Sequence, residues 1–583
     1  MYRALLTGIL TISTTLATAL PAQAQTGSAG RVLSDQILPK ETFLYVSFPN
    51  IAALKSHFTQ ASVGQLWNDP ALDAFKAEVA TAFSNELDEG LVQVEEVLGL
   101  TLEEFLQIPS GEISMAVSKA SGNIMGVVIF VDFGDKEQQV QDLLAKAVTV
   151  LSRTDKLSHE DEVFDGTALA MFQIQYPGNA PTPLAKEFGW FVKDGRLVIS
   201  NRGELLESAL ANWDGESSSA FTSNDAYSYI MSRCQSGDRT SLSTFFFNPI
   251  GLITNLITSG SLGPQVTAGA GMALGVLPMT GLNQMKAMGT IAEAGSGEFE
   301  SVQRSVFYAE QPPMGLMQVF QLDEGDQAPP AWVKEDATTY IAMKWKIDEA
   351  FTAIESLVDM FQGAGSLADR LNQIADRGPG LHVKKDIIDQ LTGQIRLVGA
   401  PGGRAGYGGD QMLLALGVRN DESAAGVLSK VAEELGMKSR EFQGATLYEI
   451  EGPEEGQAVG VVVSGGQLMI GLGETLLNQT LRNDDDIQPL SESADYRRVA
   501  QHFPANALSV QFSRPAEQYR SIYEMLQSGA AADQFPGMDE LFDKVDFTTL
   551  PPFEAIAKYI HPAGSYAKRD ENGLFVEAFQ LSE

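Results

Sequence analysis

The strongest constraint on how this chain folds is that one pattern is written in it twice. GRLVISNRGELLESAL at 195–210 and GQLMIGLGETLLNQTL at 466–481 both read as a tight turn, a short strand and a helix opening on a Leu-Leu pair. Gly195, Leu197, Ile199, Leu205, Leu206 and Leu210 reappear as Gly466, Leu468, Ile470, Leu476, Leu477 and Leu481. Four more stations match in the same order. ETFLYVSF around Tyr45 matches DATTYIAM around Tyr340, and GEISMAV from Gly111 matches GQIRLVG from Gly393. FDGTALAMFQI from Phe164 matches FQGATLYEI from Phe442, and SLSTFFFNP around Phe246 matches ALSVQFSRP around Phe512. One amphipathic segment resembles another cheaply; an ordered series whose separation shrinks steadily points to internal duplication. The expected organisation is a signal peptide over 1–24, an N-terminal segment over 25–36 and a first copy over 37–320. An acidic, then Pro-Pro, linker over 321–332 leads to a second copy over 333–583.

Within a copy the apolar pattern switches between periods of two and of 3.6. NIMGVVIFVDF at 123–133 predicts a strand buried on both faces. The segment after it sets Val140, Leu143, Leu144, Ala147 and Leu151 on one helical face. QMLLALGV followed by DESAAGVLSKVAEEL repeats the arrangement in the second copy. Thr101 and Glu104 stand at capping-box spacing, and Asp69-Pro70 predicts a helix start with Leu72, Phe75 and Val79 inward. Asn572-Gly573 suits a tight hairpin. Strands adjacent in sequence predict a mostly antiparallel sheet with helices packed on one side, so each copy is expected to be an α+β domain.

ILPKETFLYVSFPNIAAL, SVGQLWNDPAL and LGLTLEEFLQIPSGEISMAV resemble an uncharacterised domain family of large exported proteins from planctomycete-type bacteria. KKDIIDQLTGQIRLV in the second copy is similar to the third of these segments, and the second copy has no counterpart of SVGQLWNDPAL. The resemblance implies export and assigns no activity, so no catalytic residue is carried over.

Export is also what the first residues predict. Arg3 precedes an uncharged, largely apolar run from Ala4 to Leu20, then Pro21 and the small-x-small motif Ala22-Gln23-Ala24. The protein is therefore expected in the periplasm or outside the cell, with no further membrane span once the signal is removed. Hydrophobic residues at 44% and charged residues at 20% describe a globular chain. A net charge of −35 repels phosphate backbones, which excludes nucleic acid as a general partner. Cys234 is alone, so no intramolecular disulfide forms, and it reads as a small core residue.

No catalytic or metal motif stands out. His57, His159, His382, His502 and His561 are scattered, with no H-E-x-x-H and no cysteine pair, so neither a metal nor a cofactor is expected. The acidic knot His159–Glu162 and the run Asn483–Asp486 read as solvated loops. The glycines from Gly269 to Gly275 resemble a phosphate loop but lack its lysine, and 401–410 reads as a hairpin loop.

The most unusual feature is negative: no charged residue occurs from Thr240 to Met285. The candidate residues are Ile250, Leu252, Ile253, Leu256, Ile257, Leu262, Met272, Leu274, Val276, Leu277 and Leu282. They read either as a surface buried between the copies or as one that receives a protein or apolar ligand. The leading expectation is a non-enzymatic binding or scaffold protein of the cell envelope. The alternative is a cryptic envelope hydrolase with a site assembled at the junction of the copies, for which His502 and His561 are the candidate residues. A purely structural protein is the third reading.

Overall fold

The computed structural model describes residues 31–82, 107–121, 124–176, 186–237, 239–259, 264–378, 380–401, 410–451, 458–472, 474–482, 487–530 and 539–583. The predicted signal peptide, Thr101 with Glu104, Leu262, most of 401–410 and Asn483–Asp486 lie outside the described residues. Two compact units emerge. Unit 1 ends its main run at Val276 and adds Met285–Ser296 and Glu300–Tyr308; unit 2 comprises Leu277–Gln284, Gly297–Phe299 and Ala309–Glu583.

Unit 1 carries strands β1 (Thr42–Phe48), β2 (Ile113–Lys119), β3 (Met125–Asp132), β4 (Leu157–Phe164), β5 (Thr167–Ile174), β6 (Glu187–Lys193), β7 (Arg196–Ser200), β8 (Ser241–Phe247), β9 (Met285–Ala294) and β10 (Phe299–Ala309). Its helices include α1 (Ile51–Gln60), α2 (Ser62–Asn68), α3 (Glu137–Leu151), α4 (Gly203–Ala211), α5 (Asp225–Cys234), α6 (Pro249–Thr258) and α7 (Pro264–Thr280), the last running into unit 2 at Leu277. The strands pair in the order β10-β9-β8-β1-β2-β3-β7-β6-β5-β4.

Unit 2 carries β11 (Leu322–Asp323), β12 (Thr339–Trp345), β13 (Leu391–Pro401), β14 (Asp410–Val418), β15 (Lys438–Phe442), β16 (Ala445–Glu451), β17 (Ala458–Ser464), β18 (Gln467–Leu472), β19 (Ser509–Ser513), β20 (Ala563–Asp570) and β21 (Gly573–Leu581). Its helices are α8 (Ile347–Gln362), α9 (Ser366–Arg377), α10 (Asp421–Glu434), α11 (Glu474–Arg482), α12 (Ala494–Ala500), α13 (Pro515–Gln527), α14 (Asp539–Lys544) and α15 (Phe553–Ala557). Its strand order is β21-β20-β19-β12-β13-β14-β18-β17-β16-β15, with β11 against β12, and the registered pairs are antiparallel. Strand for strand, this is the order of unit 1. Both units are α+β with a large antiparallel sheet.

Local chemistry accounts for the hairpins. Phe164 pairs with Thr167 across Asp165 and Gly166, at φ 46° and 72°. Phe442 pairs with Ala445 across Gln443 and Gly444, at 52° and 81°. The β6–β7 turn uses Asp194 and Gly195 at 50° and 76°, and its counterpart β17–β18 uses Gly465 and Gly466 at 59° and 76°. Two left-handed residues in a row match the twist of the flanking strands. The last hairpin turns one residue earlier than predicted, across Glu571 and Asn572, because Asp570 pairs with Gly573.

Two expectations are corrected. Helices cover both faces of the sheet, not one. Val140 and Leu143 of α3 pack with Trp190, Leu197 and Val131 on one face. On the other, a Cβ at Gly126 would lie 2.5 Å from Leu205 of α4. Unit 2 repeats this: Val461 joins α10's Ala424 and Leu428, while a Cβ at the adjacent Gly460 would lie 2.7 Å from Leu477 of α11. Strand β3 is also not buried evenly, since fully buried and half-buried residues alternate along it. Its apolar run reflects two faces covered to different extents.

The stretches flanking each unit's first long strand are packed. Ile37 and Leu38 are fully buried, and Leu38 O accepts from Phe221 N at 2.7 Å. Within 321–332, read as a linker, β11 pairs with β12 and Gln327 Nε2 donates to Leu508 O at 3.0 Å. Val333 O accepts from Leu490 N at 2.8 Å, the counterpart of the Leu38 contact.

Candidate functional site

The uncharged segment forms β8, α6, α7 and the approach to β9. Asn248 caps α6 by accepting from Gly251 N at 2.7 Å, and Pro249 starts the helix where its missing N–H is no loss. Ile257 is buried, Ile250, Leu252 and Leu256 are half-buried, and Ile253 is exposed. On α7, Leu274, Val276 and Leu277 are half-buried, as is Leu282 beyond it. Met272 keeps 72% and Met279 50% of its surface in water. Gly269, Gly271 and Gly275 lie inside this helix with nothing within 4 Å of where a Cβ would stand, so the run weighed as a phosphate loop is not a loop. An exposed helix ordinarily sets charged residues against water. None is present in α7.

Unit 1 also holds a closed polar cluster that the sequence did not announce. Glu112 is 3% exposed, and its carboxylate accepts from Ser34 N at 2.8 Å, Ser34 Oγ at 2.5 Å, Ser47 Oγ at 2.9 Å and Tyr45 Oη at 3.2 Å. Tyr227 Oη donates to Asp35 at 2.8 Å. Burial pushes both carboxyls above their usual range against the pull of these donors. It also raises the Tyr45 and Tyr227 phenols, and the neighbouring carboxylates add to the effect. The two bonds from Ser34 fasten the 31–38 segment to the sheet, and those from Tyr45 and Ser47 of β1 complete the shell around the carboxylate.

The histidines do not converge. His502 Nε2 lies 3.3 Å from Glu298 and 3.3 Å from Gln501 Nε2, and its ring packs on Phe299 and Phe579. A base beside a carboxylate is half of a hydrolytic arrangement. Among the described residues its recorded hydrogen-bond partners include no serine hydroxyl. His561 is half-buried and His382 exposed. His159 and Asp161 pair at 3.3 Å on the edge strand β4, so the acidic knot is a strand and not a loop. Among the described residues no cluster suits a metal ion. Cys234 is fully buried with Sγ 4.0 Å from Gly289 O, the place of a small core residue.

Unit 2 has a cavity of about 180 Å³ lined by Trp332 and by residues of β13 and α11. Val398, Ala400 and Leu476 are among its apolar lining residues, and among the described residues Lys334, Asp336 and Arg482 are its charged ones. Sequence reasoning missed it. The available signal was Trp332 standing where unit 1 has Ile37, one residue before the matched carbonyls of Val333 and Leu38.

Among the described residues no helix is long and apolar enough to cross a membrane. Comparisons of the chain with family models, with curated proteins and with solved structures find no match.

Proposed function

We propose that the chain is an exported, non-enzymatic binding or scaffold protein of the cell envelope, built by duplication of one α+β domain. The apolar helix α7 receives an apolar face of a protein partner. The observation that carries this reading is the exposure of Met272 and Met279 on a helix without a single charge. Contiguous exposed apolar surface is uncommon unless it is used. The absence of charge fits a protein partner, because a chain of net charge −35 repels other acidic surfaces everywhere else. The identical strand order of the two units supports duplication, and the leader grammar together with the resemblance to exported bacterial domains supports export.

The test is native mass spectrometry of the mature chain, purified without detergent from the envelope of its own host, beside a Met272→Glu/Met279→Glu variant. Excess mass that the wild type loses on denaturation, and that the variant never carries, supports the reading. A bare wild-type monomer overturns it.

A further inference from the structure

We infer that the cavity in unit 2 is a binding site for a small carboxylate with an apolar body, independently of the role proposed for α7. The cavity is a local departure within a shared fold. At the matching positions of unit 1, Ile37 and Ala209 of α4 are both buried, and Asn212 Nδ2 donates to the Ile37 carbonyl at 3.1 Å. In unit 2 the matching chain position is Trp332, which is only half-buried, and Thr480 stands where α4 has Ala209. The larger side chain does not fill the space, and a cavity of about 180 Å³ remains. Apolar cavities of roughly 150 Å³ take up molecules the size of benzene.

The lining is divided in a way that orients a ligand. At the floor Val398 and Ala400 are apolar, and the polar groups there are already engaged. Thr480 Oγ donates to Leu476 O at 2.9 Å, and Leu476 N donates to Gln411 Oε1 at 2.6 Å. With these bonds made inside the protein and Val398 and Ala400 apolar, that end suits a hydrocarbon group. Among the described residues, two cations, Lys334 and Arg482, and one acid, Asp336, line the more exposed side. The Arg482 guanidinium lies 5.8 Å from the centroid of the Phe442 ring, a cation–π contact that restrains the side chain. A guanidinium held in this way presents two parallel N–H groups to a carboxylate. Trp332 is also part of the lining and offers aromatic surface to the apolar body.

The full mature chain is titrated by calorimetry with isovalerate and phenylacetate, and with the neutral analogues isoamyl alcohol and benzyl alcohol. So few ligand atoms support a dissociation constant of about a millimolar. One-to-one binding of a carboxylate at that level is expected, at least about tenfold tighter than its alcohol and weakening as salt rises. Arg482→Met, on the more exposed side, is expected to remove the preference for the carboxylate without altering the fold. Ala400→Leu is expected to abolish binding by filling the floor. No heat from either acid at about 10 mM, or binding that is indifferent to both substitutions, overturns the site. Neither result bears on the partner mass expected for α7.

Discussion

The two units solve one packing problem with opposite charges. Each sets two tyrosines and a phenylalanine edge to face at the same point of the sheet. Tyr45 and Tyr227 lie 6.0 Å apart with Phe246 5.5 Å from Tyr227. Tyr340 and Tyr496 lie 6.4 Å apart with Phe512 5.5 Å from Tyr496. Around this shared triplet the polar residues invert. Where unit 1 has Glu112 and Ser114, unit 2 has Gln394 and Arg396, and Pro329-Pro330 replaces Ser34-Asp35. The buried carboxylate of unit 1 is held by hydroxyls and an N–H. Buried Arg396 of unit 2 lies 3.4 Å from the Asp326 carbonyl, and Tyr340 donates to the Ala328 carbonyl at 2.9 Å. Backbone pairing and aromatic packing therefore fix the architecture. The polar filling changes sign between the two units, and one of its buried atoms, Arg396 Nε, makes no hydrogen bond among the described residues.

The largest break in this comparison is expected from Glu112→Ala. It leaves several buried donors unsatisfied and should destabilise unit 1 by about 3 kcal/mol, with no change in unit 2. Hydrogen exchange resolved by segment checks both halves of the statement, and equal loosening of the two units would contradict it.

The turn glycines come next. Gly195 and Gly466 both have φ 76°, where alanine costs about 1–2 kcal/mol. A Cβ at Gly466 meets nothing within 4 Å, whereas at Gly195 it would lie 2.6 Å from the Gly134 carbonyl oxygen. Gly195→Ala should therefore lower the denaturation midpoint more than Gly466→Ala does.

Acid should separate the units less strongly but in opposite directions. Glu112 and Asp35 have raised carboxyl pKa values in the fold, so their contribution is fully present below the unfolded carboxyl range, near 4, and fades as pH rises through the folded values. Asp359, Asp546 and Glu554 of unit 2 are held low, the first by the Gly365 and Leu367 N–H groups, so their contribution is lost as pH falls. Segment-resolved exchange between pH 4 and 7 should show unit 1 gaining protection relative to unit 2 on the acid side. The smallest effect is expected from Arg396→Met. A buried cation replaced by an apolar side chain of similar length should leave stability within about 1.5 kcal/mol of the wild type, as a denaturant midpoint would show.

Much of this comparison was legible in the sequence. The five matched stations fall on β1, β2, β5, β7 and β8 and on their counterparts β12, β13, β16, β18 and β19, because strand starts and Gly turns depend on neighbours in the chain. The Asp69 cap was equally local: its side chain accepts from Ala71 N at 2.9 Å, and Leu72 is buried behind it. Faces were harder to read. Consecutive buried residues such as Gly189, Trp190 and Phe191 mean two covered faces, and periodicity cannot say which helix returns to which side. Glu112 looked like any other acid, since its burial depends on Ser34, far away in the chain. The cavity was the least legible, because it is missing volume set by the mismatch of Trp332 with Ala400 and Thr480 across three elements.

The edge strand β4 bears on how the molecule survives at high concentration. Among the described residues it pairs with β5 alone, so its outer row of N–H and C=O groups is a template on which another strand could grow. Glu160, Asp161 and Glu162 are all exposed along it. Three adjacent negative charges make a second copy of the same edge repel the first, a safeguard against fibrous self-assembly. Neutralising them should leave the monomer's fold intact and shorten its lifetime in solution.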